Sequence, residues 1–306
     1  MVLPRYKLSL YKKTGIMRII QSYWSKPFNM CKTNENARGG WCNPTFFYMS
    51  WALSCITLRR FYRNVELYTD QVGADLLINK LELPYTKVHV VLDKINKYDS
   101  MLWAIGKLYT YGLQESPFLH VDGDVYIWNC FPKRVIEGHL IAQHLEDAYP
   151  YNVIVIEQTL SKLKYLPIAI EQVQNRSKEI NAGILGGDDL DFFHLYTQEA
   201  FNFVDNNLSC VPELKYPGMF NTIFEQFLFS CMSEYYGKNI TYGFDNVDAR
   251  FKRFGEFELV PNNYYIHALA FYKKMFCIGE AIAYHLYKLS PRHYELIIDK
   301  LKKKEL

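Results

Sequence analysis

Short β-rich apolar runs trade places with longer helical patterns along the first two thirds of the chain, and this alternation restricts the fold more than any other feature. Residues 17–21 (MRIIQ), 65–69, 88–92, 118–121, 153–156 and 180–185 read as strands, and residues 45–63 and 98–111 as helices between them. A strand that returns through a helix to the same sheet lies parallel to its predecessor. The expectation is therefore an α/β fold, a mixed and mostly parallel sheet flanked by helices. Residues 190–206, 220–236 and 276–289 add helices. Ser290 and Pro291 suit the N-cap and first turn of a last helix reaching residue 306, which makes the C-terminal flank helical. With 306 residues, 49% hydrophobic and 22% charged, and with no repeat or Pro/Ser-rich linker, one large domain is the simplest account.

Charge and cysteine usage narrow the function classes. The net charge of +3 is too small to argue for a nucleic-acid surface, so nucleic acid is not an expected partner. The seven cysteines (31, 42, 55, 130, 210, 231 and 277) are odd in number, scattered and without a C-x-x-C pair, which reads as reduced thiols in a cytoplasmic protein. Residues 1–15 carry four basic groups but no apolar run or cleavage site of a secretory signal. The uncharged stretch 39–58 contains two glycines, Asn43 and Pro44, and its helical part is the length of a buried core helix, so no transmembrane segment is expected.

The phrase FLHVDGDVYIW, residues 118–128, sets Asp122 and Asp124 one residue apart where an apolar strand runs out. Ligands of open α/β sheets bind at the carboxyl ends of strands. Gly123 lacks a Cβ and allows a sharp turn that brings the two carboxylates to one point. Converging carboxylates repel unless a positive charge sits between them, and hard oxygen ligands suit Mg²⁺ or Mn²⁺, which also bridge a diphosphate. The competing reading of this triplet is an ordinary D-G hairpin turn.

In context the triplet resembles the D-x-D of the GT-A glycosyltransferases, in particular the family of glycogenin and the bacterial lipopolysaccharide galactosyltransferases. The resemblance runs over residues 16–275 and rests on motifs in order: Lys107 in AIGKLYTYG, Asp122-Gly123-Asp124, Asn181-Ala182-Gly183 in INAGILGG, Glu225-Gln226 in IFEQFL, and His267 followed six residues later by Lys273. It implies a GT-A type, Rossmann-like catalytic domain over residues 1–275, with residues 276–306 as a helical flank of the same domain.

Function is likewise implied. The resemblance makes Asp124 and His267 ligands of Mn²⁺ or Mg²⁺, with Asp122 on the metal or the ribose. Lys273 and Lys274 meet the donor pyrophosphate and the departing nucleoside diphosphate, although Ala270 and Lys274 stand where the family's H-x-x-G-x-x-K-P has glycine and proline. Asn181, Ala182 and Gly183 approach the donor sugar, Lys107 reaches the donor, and Glu225 or Gln226 stands beside the anomeric carbon. Ser22, Tyr23 and Trp24 after the first strand, with Asp70 after the second, form the nucleobase pocket. The implied activity is metal-dependent transfer from a nucleotide sugar, a UDP-sugar above all, with retention, to a glycan or lipid-linked acceptor in bacterial-type glycoconjugate synthesis.

Blander readings stand beside these: His267 as a core histidine on an aromatic strand, Lys107 as an exposed helix lysine, Lys273 and Lys274 as a solvated pair, and most of the aromatics as core. A nucleotidyltransferase of similar fold is the alternative enzyme, but QSYWSKPF after the first strand lacks the glycines of a phosphate loop. A catalytically silent sugar-binding protein is the non-enzymatic alternative. The last helix sets Leu296, Ile297 and Leu301 beside Lys300 and Lys302–Lys304, a pattern that either docks on the protein's own core or rests on an anionic membrane surface.

Overall fold

The computed structural model describes residues 17–30, 37–147, 150–174, 176–243, 255–257, 260 and 264–306. Residues 1–15 and Cys31, read above from sequence, lie outside the described residues. The chain runs β1 (Arg18–Tyr23), α1 (Pro44–Phe61), β2 (Val65–Thr69), β3 (Lys87–Val90), α2 (Ile105–Gly112), β4 (Phe118–Val121) and β5 (Val125–Ile127). It continues through β6 (Leu140–Asp147), α3 (Pro150–Leu160), β7 (Lys178–Gly187), α4 (Leu190–Asn207), α5 (Leu228–Tyr235), β8 (Ile240–Tyr242), β9 (Tyr265–His267), α6 (Phe276–Leu289) and α7 (Pro291–Lys302), with short helices between.

The seven-stranded sheet has the order β3-β2-β1-β4-β7-β6-β8. Pairs β1–β2, β1–β4, β2–β3 and β6–β8 are parallel, while β7 runs against both neighbours. The expected mixed, mostly parallel sheet with a helical C-terminal flank is what the chain forms. Its two faces are covered by separate clusters, as the period-two alternation of strands requires. Phe118 and Ile20 pack with Leu108 of α2 and Phe193 of α4, whereas Leu119 and Ile19 join Leu58 of α1.

The uncharged stretch ahead of β2 is α1, buried along most of its length. Asn43 caps it, its side chain accepting from the Thr45 amide. Ser50, Ser54 and Thr57 recur at helical spacing, are all buried, and aim a polar stripe at β4 and β5. No described helix is long and apolar enough to cross a membrane. The six described cysteines are free thiols. On α7, Ile297 is buried and Ile298 and Leu301 pack on the cluster built by α1 and α6, so much of the apolar stripe is spent on the protein's own core.

Several local expectations are corrected. Residues 153–156 are not a strand but part of α3; Ile154 is 56% exposed beside buried Val155 and Ile156, a one-sided pattern that four residues of sequence cannot reveal. The strand at that point in the chain is β6, LIAQHLED, whose polar residues hid it. The helix expected over 98–111 begins only at Ile105, after turns. The segment 220–236 is helical but contains a π-helical turn, Ile223–Phe227. Asp189 caps α4 by accepting from the Phe192 amide. Ser290 stands at the N-cap of α7 with Pro291 in its first turn, as expected, but its hydroxyl bonds the His293 ring at 2.6 Å and not a backbone amide.

Gly186 is demanded by the β4–β7 pair, because a Cβ there would lie 2.1 Å from the Phe118 carbonyl oxygen. Gly218, in the helical turn Pro217–Thr222, has nothing within 4 Å of that position. Gly186→Ala is expected to cost about 3 kcal/mol in urea unfolding, since backbone must separate to admit the methyl. Gly218→Ala should stay within about 0.5 kcal/mol of the parent or gain stability. Equal effects would refute the close approach of these strands.

Candidate functional site

The site is built around the turn between β4 and β5, and its backbone is tied down from four directions. The Asp122 amide donates to the Gly183 carbonyl of β7 at 2.9 Å, and the Ala268 amide, just after β9, donates to the Asp124 carbonyl at 2.9 Å. From β1, the buried Gln21 amide donates to the carbonyls of Val121 and Asp122 at 3.2 and 3.3 Å. From α1, Ser50 donates to the Gly123 carbonyl at 2.9 Å and Ser54 to the Val125 carbonyl at 2.7 Å. A turn so satisfied holds its side chains in one direction. Gly123 is required here for space: a Cβ would meet the Trp51 indole of α1 at 2.7 Å.

Behind Asp122 lies Lys107, on the inner face of α2. Its ammonium is 2.9 Å from Asp122 Oδ1 and 2.6 Å from Glu225 Oε1, and it donates to the Ala182 carbonyl at 3.0 Å. Burial alone would lower the lysine pKa, but the Asp122 and Glu225 carboxylates outweigh it and hold the ammonium firmly charged. Asp122 titrates above the usual carboxylate range because of burial, with the nearby Asp124 adding to the effect against Lys107. Burial pushes Glu225, 1% exposed, up to about 7 despite Lys107. His120 donates or accepts at the Ser22 hydroxyl, 2.9 Å away, and burial together with Lys107 keeps its ring neutral.

In front lies Asp124. Burial would raise its pKa, but Lys273 and then His267 hold it far below the usual range. Lys273 Nζ is 2.5 Å from Asp124 Oδ2, and His267 Nε2 is 3.4 Å from Oδ1. Asp122, Asp124 and His267 each offer one ligand atom, all within 4.8 Å of one another. Two observations fit this set to a divalent cation. Asp124 Oδ1 is buried and makes no hydrogen bond. His267 Nδ1 lies 2.9 Å from Gln143 Oε1, an atom that only accepts, so Nδ1 carries a proton and Nε2 is the ring atom turned towards Asp124. Two carboxylates and an imidazole suit Mn²⁺ better than Mg²⁺, which prefers oxygen alone.

Gln143 and its neighbours were missed by sequence reasoning. The β6–β7 register shifts between Ala142 and His144, and this bulge re-aims Gln143 at His267. Gly183 admits the pair, for a Cβ there would sit 2.4 Å from the imidazole and 2.5 Å from Gln143 Oε1. Asn181 is buried, donating to Glu146 at 3.0 Å and accepting from the Gly183 amide at 3.0 Å. Gln226 accepts from the Ala182 amide at 2.9 Å. A polar run such as QHLED gives no period-two signal, and a bulge has no sequence signature of its own.

The fold thus brings together Lys107, Asp122, Asp124, Asn181, Ala182, Gly183, Glu225, Gln226, His267 and Lys273. Tyr23, Trp24 and Asp70 are spent on local structure. The Tyr23 ring packs edge-on to Trp51 at 5.1 Å, the Trp24 indole donates to Asn96 at 2.9 Å, and Asp70 accepts from Ser25 and the Gly73 amide. Ser22 is half-buried against His120, and Lys274 is exposed.

A family of unknown function, DUF6734, matches residues 17–300. The chain belongs to this family. No curated protein matches it in sequence. Among solved structures it is similar to the glycosyltransferase GlyE of Streptococcus pneumoniae, at 10% identity and a TM-score of 0.46, covering 94% of this chain and 64% of that one. The chain therefore spans less than two thirds of that protein's length. Mouse xyloside xylosyltransferase 1 shows 11% identity and a TM-score of 0.36, over 74% of this chain and 84% of that one. The inositol-1-phosphate CTP transferase of T. maritima shows 10% and 0.39, over 89% and 97%. At these scores the likeness is one of general architecture and carries no functional weight.

The raised pKa of Glu225 has a sign that can be measured. Between about 4.5 and about 7 the folded state holds a proton that the unfolded chain releases, so this group stabilises the fold at low pH and loses that contribution as pH rises through about 7. Glu225→Gln should remove this slope. In chelator, urea unfolding at pH 5 and pH 7.5 should show the stability of the variant relative to the parent rising by on the order of 2 kcal/mol across the interval. A parallel pH dependence in both proteins would show that Glu225 is not the buried proton carrier.

Proposed function

We propose that this chain is a metal-dependent glycosyltransferase acting on a nucleotide-sugar donor, a UDP-sugar above all, and passing the sugar to a glycan or lipid-linked acceptor in glycoconjugate synthesis. The observation that carries the reading is the Asp122, Asp124 and His267 cluster at the carboxyl end of β4, flanked by two lysines. A divalent cation held by these three residues would supply positive charge against the donor diphosphate.

The roles proposed for the protein groups follow their geometry. Lys273, on the turn after β9, offers an ammonium to the departing diphosphate, where negative charge grows as the glycosidic bond breaks. Lys107 pairs with Asp122, opposes the effect of its burial and aims the carboxylate. Asn181, Ala182 and Gly183 lie within β7 beside the point where β4 ends, with Gln226 fixing the Ala182 amide, and form the wall proposed for the donor sugar. Ser22 is the member of the proposed base pocket with a partly open side chain; Tyr23, Trp24 and Asp70 would shape that pocket from behind.

Retention at the anomeric carbon is part of the proposal. Of its two routes, Glu225 as a nucleophile is disfavoured by its burial and by its 2.6 Å pairing with Lys107. The front-face route, in which the leaving diphosphate helps deprotonate the acceptor, fits better. Nucleotidyl transfer is the second enzymatic reading, but β1 runs into Lys26–Met30 with no glycine that would let backbone amides cradle a triphosphate. A silent sugar-binding protein would keep the donor and show no turnover.

Calorimetry of UDP binding separates the metal claim from the rest. Affinity in Mn²⁺ should exceed that in chelator at least tenfold, and Asp124→Asn should erase the difference. Unchanged affinity in chelator would remove the cation from the mechanism.

Turnover tests the chemistry. With a nucleotide sugar and Mn²⁺, Glu225→Gln should leave measurable transfer or hydrolysis, within about a hundredfold of the parent, and NMR should show the donor's anomeric configuration kept in the product. Abolished turnover with donor binding intact would restore Glu225 as the nucleophile, and an inverted product would exclude both retaining routes.

A further inference from the structure

The proposed reading leaves one contact unexplained. The Asp124 carboxylate is claimed twice, once as a cation ligand with His267 and once by Lys273, whose ammonium sits 2.5 Å from Oδ2. An ammonium at that distance leaves the oxygen already neutralised, and a divalent cation on the same carboxylate would lie against a like charge. The two cations therefore exclude or weaken one another unless something negative comes between them.

The segment that carries Lys273 is suited to exchange. It is a single 3₁₀ turn, Ala270–Lys274, and none of its residues is buried. Phe271 is 68% exposed. Ala270 stands at φ 41°, in the left-handed region where a residue with a Cβ is strained. Its ties to the core include the Cys42 amide on the Lys273 carbonyl at 3.1 Å and the Lys273 ammonium 5.9 Å from the Trp41 ring centroid. A turn with little burial and a strained residue rearranges at low cost.

We infer that Lys273 is an internal competitor of the cation for Asp124, and that a nucleoside diphosphate couples the two by drawing the ammonium onto its own oxygens. This rests on the proposed metal-dependent donor site and deepens it. Alone, the divalent cation binds weakly, because it must displace an ion pair. With a diphosphate present, Lys273 gains a new anionic partner and Asp124 is released to the metal. Cation and nucleotide therefore bind with positive cooperativity, and by linkage each raises the affinity of the other by the same factor. Free metal in the absence of donor leaves the site largely closed.

The test uses the full chain, Mn²⁺ and UDP, with binding read by calorimetry and by the spin-resonance signal of free Mn²⁺. Lys273→Met and Lys273→Gln, at a partly exposed position, should bind Mn²⁺ alone about tenfold more tightly than the parent. In saturating UDP the order should reverse, which requires the factor by which UDP raises Mn²⁺ affinity to fall by more than about tenfold. Two variants guard against a folding defect in either one, and chelator-treated samples should unfold with parent-like cooperativity. Mn²⁺ affinity that is unchanged or weaker in both variants without UDP overturns the competition. Coupling that survives intact in both overturns the role of the diphosphate. If parent and variants all fail to bind Mn²⁺, with UDP or without, the metal site is itself refuted and the inference falls with it, an outcome distinct from variants that match a parent able to bind.

Discussion

The ammonium of Lys107 is the charge around which this end of the fold is arranged. Three oxygens converge on it, from Asp122 after β4, Glu225 in the π-helical turn and Ala182 on β7. Two carboxylates buried side by side without a cation would force one to stay protonated or the helices to part. Because α2 delivers the lysine, its packing against the sheet, the position of the turn and the approach of the later helix all depend on one another. A buried ion pair of this kind is weak evidence for stability, but it determines which geometry is tolerated.

Around that charge the neutral polar groups do the positioning. Gln21, Ser50 and Ser54 come from β1 and α1, and each is buried. Their donors go to carbonyls of Val121, Asp122, Gly123 and Val125, where strand pairing ends and the sheet ladder has no partner to offer. Glycine is kept at 123 and 183 by neighbours that fill the space, an indole in one case and an imidazole with its glutamine in the other. The result is a rigid rear wall. The front of the site is looser, because Lys273 lies on a turn without buried residues. A rigid set of ligands beside a movable countercharge is the arrangement on which the proposed coupling rests.

The class of fold and the centre of the candidate site were already legible in the residue pattern. Apolar runs at residues 65–69 and 118–121 and the long periodic pattern over 190–206 are signals that packing only reinforces, so those elements formed where expected. Asp122 and Asp124 were legible because two charges at the end of an apolar run have few structural uses. Partnership across the chain became visible only in the folded protein. Lys107 and Glu225 are 118 positions apart, Gln143 and His267 are 124 apart, and nothing local in either segment marks the other. Residues 153–156 failed for the related reason that a four-residue apolar run fits either period, and burial on one side chose the helix. Tyr23, Trp24 and Asp70 carry residue types that suit a base pocket, yet their surroundings turned them to packing and capping. Local sequence encodes periodicity and charge, whereas the use made of a polar side chain depends on which distant groups the fold brings within hydrogen-bond reach.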